Sequence, residues 1–302
     1  MSCARSRNSM VGGGKFTVVT LFALLVACGS QQTKKATPPR IKTGSEKLLA
    51  LVPATADAVF EVEVGRLREN EVVGPLVTAV LGRPSTVSGT NTLGNADRLV
   101  ICSFGIGDRV DQLVLIEQAG GAIGKIGTAL EPGISALGPP SLIDRVREVK
   151  AGKSVAISED EGFLRLRDAS MPKKANAAGI RATARLSFDA RVALARALDI
   201  DAVPTSFSVW ADVLDDAAMV ALLAAEDEPA ARRLAKATDR LRDRLRSSHL
   251  ARFGIGTELL EGAKVSAEGR VAKVVWVLGP QRLSKIVGRL MKNFVRTNED
   301  SS

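Results

Sequence analysis

The 302 residues include no tyrosine, and only two tryptophans, one histidine and three cysteines. Single-stranded nucleic acid is gripped by stacking its bases on aromatic platforms, and this chain has few to offer. The single histidine, His249, has no second His to share a metal with and no Cys close by in sequence. With no second His and only a Cys distant in sequence, a His-based metal site and a Cys/His dyad have little support. A basic group there, following Arg244 and Arg246 at the end of a predicted helix, suits the negative end of the helix dipole. No G-x-S-x-G nucleophile elbow occurs. A bilayer-spanning helix needs about 20 apolar residues, and the apolar run Phe16–Ala27 has twelve.

That short run has a context. Arg5, Arg7 and Lys15 precede it with no acid among them, and small residues close it. A basic head, a short apolar stretch and a small-residue end form the secretory signal pattern. The residues Leu25-Val26-Ala27-Cys28 resemble the lipobox of bacterial lipoproteins. In that family the signal peptide is cut between the positions held here by Ala27 and Cys28, and the Cys becomes the lipidated N-terminus. The resemblance implies an anchor of several acyl chains, which holds firmly where one chain is marginal. Gly29 stands where an Asp would signal retention in the inner membrane, which favours the outer membrane with the body facing the periplasm. Residues 1–27 are then the signal peptide, and 28–47 a lipidated, flexible tether, polar and broken by Pro38 and Pro39.

The tether changes the meaning of the charge. The formal net charge is +9, but the first 47 residues hold eight Lys or Arg and one acid, Glu46. Residues 48–302 keep 34 basic and 32 acidic side chains, a net of +2. A phosphate-binding footprint needs clustered excess positive charge, so nucleic acid is not an expected partner. With Cys3 in the signal and Cys28 lipidated, Cys102 remains alone in an apolar strand, where it reads as a small buried hydrophobe. No intrachain disulfide is expected.

Periodicity predicts the elements of the body. Ala58–Val64 alternates, with Phe60, Val62 and Val64 on one face and Val59, Glu61 and Glu63 on the other. Within Glu69–Gly82, Val72, Val73, Leu76, Val77, Val80 and Leu81 keep helical spacing and Gly82 offers a stop. Three hairpins are predicted: Arg98–Phe104 with Gln112–Glu117, Phe207–Leu214 with Ala218–Ala224, and Lys264–Ala267 with Arg270–Leu278. A fourth joins Ser154–Ile157 to Phe163–Arg167 around the acidic turn. Helices are expected over Ser141–Val149, from a cap at Asp189 to Leu198, from Asp227 to about Ser248, and from Pro280 to about Arg296. Hairpins outnumber crossovers, so the fold class is α+β: an antiparallel sheet built of hairpins with amphipathic helices packed on it. Residues 48–171 and 180–296 form two halves around a linker at 172–179, and 297–302 is a disordered tail. Strand, helix and hairpin recur in that order in both halves, which leaves duplication and coincidence both open. The stretch Leu49–Val64 is similar to the "LLPADADAVVEVDL"-like start of bacterial envelope lipoproteins that have no established activity, a resemblance that implies location and fold but no chemistry.

Several strings approach known motifs and miss. Gly120–Thr128 lacks the first glycine of a phosphate loop, because position 119 is Ala, and its Lys125 is followed by Ile126 rather than Ser or Thr. Ser170-Met171-Pro172-Lys173 and Lys42-Thr43-Gly44 stand in the wrong order for penicillin-binding chemistry, with no S-D-N between them. Glu61 and Glu63, about 7 Å apart along a strand, read as surface alternation. Glu159, Asp160 and Glu161 read as a solvated turn. The sequence points to no catalytic residue, cofactor or metal.

The strongest pattern in the body is basic and helical. In the last helix Leu283, Ile286, Val287, Leu290, Met291, Phe294 and Val295 form an apolar stripe. Opposite lie Arg282, Lys285, Arg289, Lys292 and Arg296. Such a helix can lie on an anionic membrane or pack on the sheet with a solvated basic face. The expected function is that of a membrane-anchored envelope lipoprotein serving as a non-enzymatic binding or scaffolding module, with the membrane and envelope proteins as partners. The alternative is a periplasmic carrier or sensor of a lipid or other hydrophobic ligand.

Overall fold

The computed structural model describes residues 44–82, 93–105, 110–118, 127–214, 216–247, 260 and 262–299. Within them the chain runs α1 (Glu46–Leu49), β1 (Ala58–Val62), α2 (Val64–Glu69), α3 (Gly74–Leu81), β2 (Ala96–Phe104), β3 (Asp111–Gln118), β4 (Thr128–Glu131), β5 (Ile134–Leu137) and α4 (Pro140–Lys150). A 3-10 turn (Ile157–Glu159) leads to α5 (Glu161–Ala169). Then come β6 (Ile180–Arg185), α6 (Phe188–Leu198), β7 (Ser206–Val213), β8 (Ala217–Ala224), α7 (Glu228–Ser247), β9 (Lys264–Glu268), β10 (Val271–Leu278) and α8 (Pro280–Glu299). The architecture is α+β, and no described helix is long and apolar enough to cross a membrane.

One antiparallel sheet of ten strands crosses both halves in the order β4-β5-β3-β2-β1-β6-β7-β8-β10-β9. Its centre is the seam between β1 and β6, where Phe60 lies opposite Ala182 and Glu61 opposite Arg181. Counted outward from the seam, each half lays its strands in the same order: first, second, third, fifth, fourth.

Neighbouring residues of a strand face opposite sides, and each side has its own core. On the Val59 side, Val100, Cys102, Leu113 and Leu115 pack with Leu48 and Leu49 of α1, Leu142, Ile143 and Val146 of α4, and Phe163 and Leu164 of α5. On the Phe60 side, Ala182, Val209, Ala211, Met219, Ala221, Val274 and Trp276 pack with Leu283, Ile286 and Val287 of α8. The final helices of the two halves thus cover opposite faces.

Three of the predicted hairpins form, as β2–β3, β7–β8 and β9–β10. Other expectations are corrected. The first strand ends at Val62, and Val64 opens α2 instead. The segment predicted as a hairpin over 154–167 is a 3-10 turn and a helix, α5. Asp160 is the reason: its side chain accepts from the Phe163 backbone N–H at 2.9 Å, satisfying a helix-start donor that would otherwise be orphaned. Ser187, not Asp189, caps α6, accepting from Ala190 N–H at 3.2 Å. The last helix continues to Glu299, past Arg296, so residues 297–299 are helical rather than tail. The β4–β5 hairpin was not legible in its Gly-rich surroundings. The linker segment is non-repetitive but docked: Trp210 Nε1 donates to Ala177 O at 2.8 Å.

Candidate functional site

The polar centre of the molecule lies at the seam, on the Val59 face. The alternation of β1 puts Glu61 beside Val59, and that face is the buried one; Glu61 is 3% exposed. The expectation of a solvated Glu61 is therefore overturned. α5 lies against β6 and β7 and brings down Arg167, which is 0% exposed. Arg167 Nε and Nη2 donate to the two Glu61 carboxylate oxygens at 2.6 and 2.7 Å. This is the bidentate fork that matches guanidinium to carboxylate. Ser45 Oγ donates to Glu61 Oε2 at 2.5 Å. On β6, Arg181 Nη1 donates to Asp168 Oδ1 at 2.7 Å, and Arg167 Nη1 reaches the same oxygen at 3.3 Å. Ser170 and Ser208 share a hydrogen bond of 2.7 Å beside the cluster, and Ser208 Oγ donates to Arg167 O at 3.2 Å.

The electrostatics follow from this geometry. Burial pushes the Glu61 carboxyl upward, but Arg167, the Ser45 hydroxyl and Arg181 outweigh it and hold it below its ordinary value. Burial also opposes charge on Arg167, and Glu61, Asp168 and Glu46 reverse that, so its pKa is raised. Arg181 is the poorly compensated member. Burial and repulsion from Arg167 lower it despite Glu61 and Asp168, and its Nε has no hydrogen-bond partner. Both charges of the Glu61–Arg167 pair are thus favoured in the fold, the signature of a mutual lock.

Ser45 links this cluster to a second, more open one. Its backbone N–H donates to Glu63 Oε1 at 2.9 Å, and Glu63 Oε2 accepts from Arg98 Nε at 2.8 Å. Arg98 Nη1 donates to Glu117 at 2.9 Å. Lys47 lies 3.9 Å from Glu117 and 3.5 Å from Glu131, and Lys150 lies 3.6 Å from Glu131. A chain of alternating charge therefore runs from the seam to the β4 edge. Glu61 and Glu63 do meet, through Ser45 rather than on a shared strand face.

A separate cleft of about 750 Å³ lies where the end of α6 meets α7. Five of its six lining residues are charged: Asp199, Asp201, Arg240, Asp243 and Arg244, with Ile200. Arg240 pairs with Asp201 at 2.6 Å and Arg244 with Asp199 at 2.8 Å. Asp199 holds a left-handed backbone at φ 49°, ending α6. The lining suits water and ions rather than an acyl chain.

The other predicted positions are placed as follows. Ala27, Cys28 and His249 lie outside the described residues. Cys102 is buried in β2, and burial raises its thiol pKa. In α8, Leu283, Ile286 and Val287 are 3–7% exposed, so this part of the apolar stripe is used on the sheet and is not available to a bilayer. Arg282, Lys285 and Lys292 are exposed and Arg289 half-buried; Arg296 lies in the helix, its side chain outside the described set. Glu159 ends the 3-10 turn, and Asp160 and Glu161 start α5. Among the described residues no group of three His, Cys, Asp or Glu could hold a metal. Ser45, Arg167, Asp168 and Arg181 were missed as site residues. Their only signal was Arg167, which shares the apolar stripe of α5 with Phe163 and Leu164; Arg181 alternates with Thr183 and Arg185 as a polar strand face would.

No family model and no curated protein matches the chain. Crystal forms I and III of TP0453 share 8% identity with it at a TM-score of 0.40, over 79% of this chain and 95% and 96% of theirs. A likeness that slight bears on neither fold nor function.

Proposed function

We propose that the protein is a lipid-tethered envelope lipoprotein, anchored through Cys28 at the outer membrane and facing the periplasm, whose body is a non-enzymatic binding or scaffolding module. The observation that carries the reading is the locked state of Glu61. A carboxylate serving as a general acid or base is held near the working pH and within reach of substrate. Glu61 is instead held low, buried, and occupied on both oxygens by Arg167 and Ser45. The same lock takes in Ser45, at the end of the tether, so a pull on the anchor arrives at the middle of the sheet. Such a joint suits a body that must stay rigid while held at a surface. The alternative of a hydrophobic-ligand carrier draws no support from the charged α6–α7 cleft.

The shared strand order further supports descent of the two halves from one duplicated unit. Superposition of β1–β5 on β6–β10 in an experimental structure tests it, and strands that fail to overlay in that order reject it.

Crosslinking of the native protein in its envelope, with mass spectrometry of partners and of the mature N-terminus, tests the main reading. A diacylglyceryl-modified Cys28 and recurrent envelope partners are expected. A mature chain with unmodified Cys28 overturns the anchor. A Cys28→Ala chain released from the membrane supports it.

A further inference from the structure

We propose that β9 pairs with β9 of a second copy of this chain, joining two ten-stranded sheets edge to edge. The two edges of the sheet are unlike. At β4 the register breaks between Ala129 and Glu131, and Lys150 Nζ donates to Leu130 O at 2.6 Å. Bulges and lysines are how natural edges are blunted. At the other end, β9 pairs on one side only, with β10. Lys264, Ser266, Ala267 and Glu268 are exposed and Val265 is half-buried.

The backbone of β9 sets which groups are presented. Glu268 and Val271 close a two-residue turn over Gly269 (φ 55°) and Arg270, a turn whose first position favours glycine. The closing pair is hydrogen-bonded, and bonded pairs alternate along the ladder. Glu268, Ser266 and Lys264 therefore turn their backbone groups to β10, while Val265 and Ala267 turn theirs outward. Among the described residues neither outward pair has a partner on that side. Arg242 Nη1 donates to Ala263 O at 3.1 Å and closes the edge just before β9 begins.

The sequence Lys264-Val265-Ser266-Ala267-Glu268 is complementary to itself when reversed. An antiparallel pair centred on Ser266 puts Lys264 opposite the partner's Glu268 and Glu268 opposite the partner's Lys264. Val265 and the partner's Ala267 exchange their outward hydrogen bonds. Shifting by two residues, the smallest slip that keeps those bonds, puts Lys264 opposite the partner's Ser266 or the partner's Arg270. Opposite charges directly across a pair stabilise it and like charges destabilise it, so the centred register is selected. The assembly is a closed two-fold dimer with one shared patch. Five residues a side make a small interface, and the pairing is weak in dilute solution. Confinement to a membrane raises the effective concentration; this last step rests on the lipid-anchored reading.

Ser266→Cys in the full chain tests the pairing. Directly opposed, non-hydrogen-bonded residues have Cα atoms about 4.5 Å apart, within disulfide reach. In concentrated solution, with Cys3→Ala and Cys28→Ala leaving the buried Cys102 as the one other thiol, oxidation should give a disulfide dimer. Glu268→Lys or Lys264→Glu should each cut its yield about tenfold. Mixing the two variants, or combining both changes in one chain, should restore it. Absence of the dimer, or indifference to charge reversal, overturns the proposal. In native membranes, with Cys28 intact, crosslinking should be faster than in dilute solution at equal total protein. A charge-sensitive dimer in solution without that membrane enhancement keeps the edge pairing and rejects the lipid tether.

Discussion

The two halves lay down five strands in the same order, yet they are held together by different forces. The C-terminal half closes on the Phe60 face with an apolar plug of Trp276, Met219 and the α8 residues Leu283, Ile286 and Val287. The N-terminal half has an apolar core of its own on the Val59 face, but next to the seam that face is charged. There Glu61 and Arg167 are sealed under α5, with Asp168 and Arg181 beside them. Burying ions costs more than burying apolar groups, and it is tolerated only when every charge is paired. What the charged joint provides is exact mating of β1, β6, α5 and the Ser45 segment, since a bidentate fork accepts one geometry. An apolar plug tolerates repacking. Register is fixed by the charged joint, and the apolar plug fixes only volume.

The largest expected effect breaks the charged side. Arg167→Ala strands Glu61 in the interior and should cost about 3–5 kcal/mol in urea unfolding. Ile286→Ala on the apolar side should cost about 3 kcal/mol through the cavity it leaves. Acid separates the two sides further. The folded pKa of Glu61 lies below its ordinary value of 4.5. Its stabilisation is therefore present above the unfolded pKa and is lost as pH falls through the folded one. Wild-type stability should fall below about pH 4.5 more steeply than that of a Glu61→Met/Arg167→Met chain, followed by urea midpoints across pH. Asp160→Ala removes the cap of α5 and should cost about 1 kcal/mol, with loss of hydrogen-exchange protection confined to the start of that helix. The smallest effect concerns the edges. Lys150→Ala should change stability by no more than about 0.5 kcal/mol while freeing Leu130 O, and crosslinking through β4 should rise above its wild-type level.

Much of this was legible from local pattern. The hairpins β2–β3, β7–β8 and β9–β10 follow from alternation broken by turn residues. The long helices α7 and α8 follow from periodicity, and Pro280 fits the first helical position. What escaped depends on partners distant in sequence. Phe163–Arg167 is too short for its period to separate helix from strand, and the Asp160 cap decides it. Glu61 alternates as a surface acid would, and only Arg167, 106 residues away, makes its burial tolerable. The stripe of α8 reads alike for a membrane and for a sheet, and packing against Met219 and Trp276 selects the sheet.

The buried charges at the seam are architectural. Replacing both partners of a buried ion pair by well-packed apolar residues is often neutral or stabilising, where breaking it is costly. The direct measurement is therefore a double-mutant cycle of Glu61→Met and Arg167→Met, read by urea unfolding and by partner crosslinking in the envelope. Each single change should destabilise by about 3–5 kcal/mol, and the double variant should recover to within about 1 kcal/mol of wild type with its crosslinks intact. A double variant that folds stably but loses its crosslinks would contradict the claim and make the charges themselves functional.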